Sequence, residues 1–457
     1  MDKKRMRIAP FLKQDEVYDE LVEVWAQRVR TKKYTREACC FERDAGRYLM
    51  EQAEQVAQGT WKPSGYNSFK VYRPERIISA PRYADRITQY WFVDRYIKPW
   101  ISPQLHPENM ACQQGKGSKK AMAVLRNALS DMVQKHETGF WFLQYDMQGY
   151  YDNLSQERLL KMFHPETLAE TRMHYAKQSG NGDRIPFSEY KDYACNAYPL
   201  FSNLIHSWNC PDAYAAREPG ASGRYGIPKG TLPSQWMGIY YLNDLDHMIS
   251  GDEDAESSIR YMDDGIVLMK DKASCIRMKK KIEGYLRENQ LGIRLHPKKT
   301  RYAPISSGIN FCGWRYTVKP SGKIIVRIKQ SKKKEQYQKI KHLQYAYAKG
   351  QISWLEVKDT MRGILKYQSW GDTYRLRKYI CSRFAFTREC PLDEVLEKER
   401  SSAMPECINP SLEDGGKVFS AASYADGIDE MQKHTQNFQL WGWEGQIESL
   451  APPVFRK

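Results

Sequence analysis

Apolar residues recur at helical spacing near the start of the chain. Val17, Leu21, Val24 and Trp25 share a face, Val22 and Val29 widen it, and Ala45 to Val56 continues without proline. This spacing predicts helix over most of residues 12–58. Alternation takes over from Phe69 to Pro81: Phe69, Val71 and Tyr72, then Arg76-Ile77-Ile78-Ser79-Ala80-Pro81, predict two strands joined at Pro74-Glu75. Helices are expected over 85–96, over 119–135 behind the loop Gln114-Gly115-Lys116-Gly117-Ser118, and over 156–163, with a short apolar strand at 141–145. Residues 165–225 are less regular. Gly180-Asn181-Gly182 and Pro219-Gly220 mark loops there, and an insertion is expected.

Beyond it, 234–249 reads as one helix, 258–261 and 265–269 as strands around an acidic pair, 273–289 as an amphipathic helix, and 309–316 with 324–328 as a hairpin. Residues 329–390 turn helical and basic. Strands and helices mixed along the whole length predict an α+β fold.

Composition narrows the class. The 457 residues include 30 Tyr, 12 Trp and 15 Phe, enough large side chains to form a core, and no low-complexity tract interrupts them. Disorder and fibrous repeats are excluded. No apolar run approaches the ~20 residues needed to cross a bilayer, so a cytoplasmic protein without membrane partners is expected. The ten cysteines show no CxxC pair, and in a reducing compartment they read as mostly buried small apolar residues.

Charge is distributed unevenly. Residues 391–457 hold 12 Asp+Glu and 6 Lys+Arg, so the net +16 of the chain and −6 of this segment leave +22 on residues 1–390. A basic body rich in aromatics is the footprint of a phosphate-backbone binder, because each neutralised phosphate releases condensed counterions.

Two acidic sites at strand ends carry the candidate chemistry. In Phe142-Leu143-Gln144-Tyr145-Asp146 an apolar strand delivers Asp146 to its end, and Tyr261-Met262-Asp263-Asp264 reads as a tight hairpin turn. Adjacent carboxylates repel, and a third from another strand asks for a hard cation such as Mg²⁺. Two such ions, with Mn²⁺ as a substitute, would serve an in-line phosphoryl transfer. Taken alone, an Asp-Asp pair fits a solvated turn equally well, since Asp is a common turn residue.

The pair does not stand alone. Arg76 to Pro81 followed by Asp85-Arg86, Asp146 with Tyr150-Tyr151, Gly226-Ile227-Pro228-Lys229-Gly230-Thr231-Leu232-Pro233-Ser234-Gln235, Tyr261 to Asp264, His296-Pro297-Lys298-Lys299-Thr300, and Asn310-Phe311-Cys312-Gly313-Trp314 follow one another in the order of six motifs of the reverse transcriptases. The chain resembles that family over roughly residues 66–318. The Ser234-Gln235 ending, with Tyr241-Leu242-Asn243-Asp244-Leu245-Asp246, is most similar to enzymes of diversity-generating retroelements and their phage, prophage or defence-associated relatives.

The resemblance implies a right-hand polymerase with fingers, palm and helical thumb, making cDNA from an RNA template. The expected parts are a helical extension (1–60), fingers with the start of the palm (61–145), palm (146–318), basic thumb (319–390) and an acidic extension (391–457) without assigned role. Asp146, Asp263 and Asp264 are implied as metal-binding and catalytic, and Lys299 as the proton donor to pyrophosphate. Arg76, Tyr151, Pro228, Lys229, Gly230 and Gln235 are implied to hold the incoming dNTP, Tyr151 by excluding a 2′-hydroxyl. Phe311, Gly313, Trp314, Lys332, Lys333 and Lys334 are implied to contact primer and template. The backbone of the 226–230 loop is expected to approach the nucleotide closely. Lys229 stands where Gln is frequent, which bears on fidelity.

Partners implied are template RNA, primer or cDNA, and a small accessory protein. Two other functions compete: a defence enzyme copying a dedicated noncoding RNA or priming on protein, and a noncatalytic RNA-binding scaffold. Clustered carboxylates that repel one another without use speak against the scaffold.

Overall fold

The computed structural model describes residues 12–29, 35–72, 75–178, 185–210, 213–214 and 223–388. The chain divides into two compact units, Met1–Ser307 and Gly308–Lys457. The first begins with helices Gln14–Val24, Arg36–Arg43 and Ala45–Ala57, as the spacing predicts. Val17, Leu21, Leu49, Ala53 and Val56 form their buried face. Strands β1 (Tyr66–Tyr72) and β2 (Glu75–Pro81) then form an antiparallel hairpin; Pro74, expected in the turn, lies outside the described residues.

A second sheet contains β3 (Trp141–Asp146), β4 (Ser257–Tyr261), β5 (Asp264–Met269) and β6 (Arg301–Pro304), in the order β4-β5-β3-β6, all antiparallel. The two central strands are the most apolar, because both their faces are covered. Helix Lys272–Glu288 packs on β3, β5 and β6, and helices Ser118–His136 and Asn243–Ser250 pack on β4. Asp271 caps the first of these helices by accepting from the Ser274 amide.

Two expectations need correction. The stretch 165–225 is largely helical where described, with helices Pro165–Gln178, Phe187–Asp192 and Tyr198–His206. Tyr193, Leu200, Phe201 and Leu204 belong to the main core. The single helix expected at 234–249 is two, Leu232–Tyr241 and Asn243–Ser250, divided at Leu242 where φ −104° and ψ 12° leave the helical region. Cysteine burial also differs. Of the eight cysteines described only Cys275 is buried, and Cys39 and Cys40 are exposed because Ala38 and Phe41 occupy the inward face of their helix.

The second unit, described over 308–388, starts with β7 (Ile309–Phe311), β8 (Trp314–Val318) and β9 (Ile324–Ile328) in one antiparallel sheet. Helices Gln330–Ala348, Trp354–Gln368 and Tyr374–Arg383 follow. They enclose Ile340, Leu343, Val357, Met361, Ile364, Leu365 and Ile380. Ser353 and Glu356 form a capping box at the start of the middle helix.

His106 supplies a pH-dependent element of the first unit. Its ring is buried, Nδ1 accepts from the Glu108 amide at 3.3 Å, and it meets His247 edge-on at 4.9 Å. Burial pushes its pKa down to about 4; His247, Arg260 and Lys116 act in the same direction and Asp246 opposes them. The unfolded chain takes up this proton near 6.5, so the contribution is complete above that pH and is lost as pH falls toward 4. At about 1.4 kcal/mol per unit this amounts to about 3 kcal/mol. Denaturant titrations at pH 7.5 and 5 are expected to show a weaker pH dependence for His106→Gln than for the wild type; equal dependence would contradict this assignment.

Candidate active site

The three carboxylates lie at one end of the four-stranded sheet. Register pairs Asp146, the last residue of β3, with Asp264, the first of β5, and pairs Asp264 with Tyr261 across β4–β5. A two-residue turn, Met262-Asp263, therefore closes the hairpin, with Met262 at φ +59°. Positive φ at such a position is what tight hairpin turns require.

Burial disfavours the charged form of two of these groups, Asp263 and Asp264. Burial is the largest influence raising the Asp264 pKa to about 7; the neighbouring Asp146 and Asp263 charges add to it, while Gln144 and Lys299 oppose them. Asp263 is also raised, first by burial and then by Asp146, against a backbone hydrogen bond, Lys299 and Arg260. Gln144 Nε2 donates to Asp264 Oδ1 at 3.3 Å. Lys299 Nζ donates to both oxygens of Asp146, at 3.0 and 3.1 Å.

Among the described residues, no three His, Cys, Asp or Glu side chains stand close enough together to hold a metal ion. The donor chemistry nevertheless fits Mg²⁺: hard carboxylate oxygens at one sheet end, two of them destabilised in the charged form.

The backbone below Asp146 is pinned to the segment that carries Lys299. The Asp146 carbonyl accepts from the His296 amide at 2.7 Å, and the Gln148 amide donates to the Arg294 carbonyl at 2.9 Å. Tyr151 is half-buried, with its ring edge-on to Tyr150 at 5.5 Å. A Cβ on Gly238 would come within 3.2 Å of its hydroxyl oxygen. Burial raises the Tyr151 pKa well above the ordinary phenol value.

The loop expected at the nucleotide is packed against neighbouring protein. Pro228 is buried, and Lys229 Nζ pairs with Asp152 Oδ2 at 2.5 Å. A Cβ on Gly226 would lie 2.7 Å from Cys210 Cβ and 3.0 Å from the Asp152 carbonyl, and one on Gly230 would lie 2.7 Å from Ile78 Cγ2. Protein packing thus already explains both glycines. The Lys229 carbonyl accepts from the Ser79 amide at 2.6 Å, which joins this loop to β2. Arg76 is exposed on β2, and Gln235 lies beside Cys112, whose Sγ is 3.7 Å from its Oε1.

The remaining expected residues lie in the second unit. Phe311 and Trp314 are fully buried in its sheet, so neither side chain presents a surface to primer; the turn Cys312-Gly313 between them is the accessible part. Lys332 pairs with Glu335 at 2.9 Å, Lys333 Nζ lies 5.5 Å from the Tyr337 ring centre, and Lys334 is exposed.

Sequence reasoning missed Gln144, Gly238, Asp246 and Arg260. Arg260 alone left a signal, a lone cation inside the apolar strand pattern before Tyr261.

No protein-family model matches the sequence, and no curated protein matches it. Among solved structures, telomerase from Candida albicans in complex with a TWJ fragment of telomeric RNA is similar at 12% identity and a TM-score of 0.38 over 77% of this chain and 60% of that one. Apo telomerase from Candida tropicalis is similar at 13% identity and a TM-score of 0.37 over 75% of this chain and 66% of that one. A form of it truncated from the C-terminal domain gives 14% and 0.31, over 55% of this chain and 52% of that one. The chain thus spans half to two thirds of these proteins' lengths. Similarity at this level leaves the chain's own residues to decide what the site does. Among the described residues no helix is long and apolar enough to cross a membrane.

Proposed function

We propose that the chain is an RNA-directed DNA polymerase that makes cDNA by metal-assisted nucleotidyl transfer. One observation carries this reading: the cross-strand pairing of Asp146 with Asp264 puts both beside the Met262-Asp263 turn, so three carboxylates from two segments far apart in sequence share one sheet end. The six ordered motifs support the same reading. Asp146, Asp263 and Asp264 would hold Mg²⁺, which would supply charge neutralisation and activation of the primer 3′-hydroxyl.

The chain's own residues account for the rest. Lys299, which pairs with Asp146, is in this reading the proton donor to the leaving pyrophosphate. Arg76 is the bidentate cation for the triphosphate. Tyr151, backed by Gly238, is the wall against a ribose 2′-hydroxyl. Within this reading the enzyme is of the diversity-generating retroelement type, which the Ser234-Gln235 ending resembles together with its defence-associated relatives, and a defence enzyme is the alternative.

The selectivity is testable. The wild type is expected to incorporate dNTPs over rNTPs, and Tyr151→Ala to relax that preference by roughly tenfold to a hundredfold, the loss of about 1–3 kcal/mol of discrimination. Competition assays on one primer-template check this; unchanged selectivity in Tyr151→Ala would contradict the role.

A further inference from the structure

The turn bearing Asp263 has a support that the polymerase reading leaves unassigned. Arg260 lies in β4, three residues before Asp263, with its side chain 2% exposed, and Asp246 opposite it is 5% exposed. Ionised groups so deeply placed cost several kcal/mol unless their hydrogen bonds are met. Here they are met with unusual completeness. Nε donates to Asp246 Oδ1 at 2.6 Å and Nη2 to Asp246 Oδ2 at 2.5 Å. Nη2 also donates to the Ile239 carbonyl at 2.8 Å, and Nη1 to the Met262 carbonyl at 2.6 Å. The backbone is fixed as well, by the Arg260 amide on the Glu108 carbonyl at 3.1 Å and the Met110 amide on the Arg260 carbonyl at 2.9 Å.

Apolar side chains of equal volume often stabilise such a buried position as well or better, so stability alone does not call for a guanidinium. The Met262 carbonyl belongs to the peptide that leads into Asp263, and Met262 is held at φ +59°, a left-handed conformation that is unfavourable for a residue with a Cβ. A donor fixed on that carbonyl sets the plane of the peptide. The same guanidinium, through Ile239, joins the turn to helix Leu232–Tyr241, which carries Gln235 and Gly238.

We propose that Arg260, oriented by Asp246, is a positioning residue of the catalytic turn: it fixes the Met262-Asp263 peptide and thereby the direction in which the Asp263 and Asp264 carboxylates project. This rests on the polymerase reading.

Two variants separate positioning from stability. Arg260→Lys keeps a charge for Asp246 but has one nitrogen where the two carbonyls and the carboxylate need three. Arg260→Met with Asp246→Leu replaces the buried pair by apolar side chains, a change that often leaves stability equal or higher. Both are expected to lower the rate constant of single-nucleotide incorporation by roughly a hundredfold, as a misplacement of about 1 Å does. The KM for dNTP is expected to stay near that of the wild type, and the Mg²⁺ concentration for half-maximal rate to rise severalfold. Mn²⁺ binding by electron paramagnetic resonance, an activity-independent readout, is expected to weaken in parallel.

An apolar pair that melts like the wild type and matches it in rate and Mn²⁺ binding overturns the proposal. If Asp263→Asn is meanwhile inactive, the polymerase reading stands without it. A wild type that neither extends a primer nor binds Mn²⁺ overturns both.

Discussion

Replacing Asp263 or Asp264 by Asn is expected to lower nucleotide incorporation by a factor of roughly a thousand or more while leaving the metal-free protein as stable as the wild type or more so. The two effects have one cause. Burial and the neighbouring charges raise the Asp264 pKa to about 7, so near neutral pH the charged carboxylate is held at a cost that a proton or a bound cation relieves. Asn keeps the shape and the acceptor for Gln144 Nε2 and removes the repulsion, so the metal-free fold is expected to gain about 1–2 kcal/mol. The same change removes a hard anionic donor, and losing a preorganised electrostatic contact of this kind costs a factor of roughly 10²–10³ or more in rate. Single-turnover incorporation and thermal melting without metal, on the same preparations, check both halves. A variant less stable and still active within tenfold would mean that the carboxylates serve the fold.

Gly265→Ala is expected to produce the largest loss of stability, about 2–4 kcal/mol. Register sets Gly265 opposite Tyr145 on the central strand pair. A Cβ at Gly265 would lie 2.1 Å from Tyr145 Cζ and 2.4 Å from its hydroxyl oxygen. The ring cannot step aside, since Tyr145 is 2% exposed and packed within the main core. Shortening the ring removes the clash. Tyr145→Leu combined with Gly265→Ala is therefore expected to be more stable than the sum of the single changes by about 1–3 kcal/mol. Additive denaturation free energies would contradict this packing account.

Much of this was legible in the chain, and the exceptions have physical causes. The apolar runs of β3 and β5 and the turn between Tyr261 and Asp264 are local patterns, so the sheet end with its three carboxylates could be anticipated. What periodicity does not encode is which distant groups a side chain meets. Lys229 pairs with Asp152, Trp314 is core of the second unit, and Cys210 and Ile78 crowd the Cβ positions of Gly226 and Gly230. β6, four residues long beside a basic loop, offered too short an alternation to be seen. Arg260 was visible only as a charge out of place in a strand, and its meaning depends on Asp246, Ile239 and Met262 converging from three elements.

The most direct test of the polymerase reading is extension of a DNA primer on a heteropolymeric RNA template with Mg²⁺ and dNTPs, followed by sequencing of the product. The intact chain is expected to yield DNA complementary to the template, and the double variant Asp263→Ala with Asp264→Ala to yield none. No extension by the intact chain, with or without its co-purifying RNA, or equal extension by the double variant, would contradict the account.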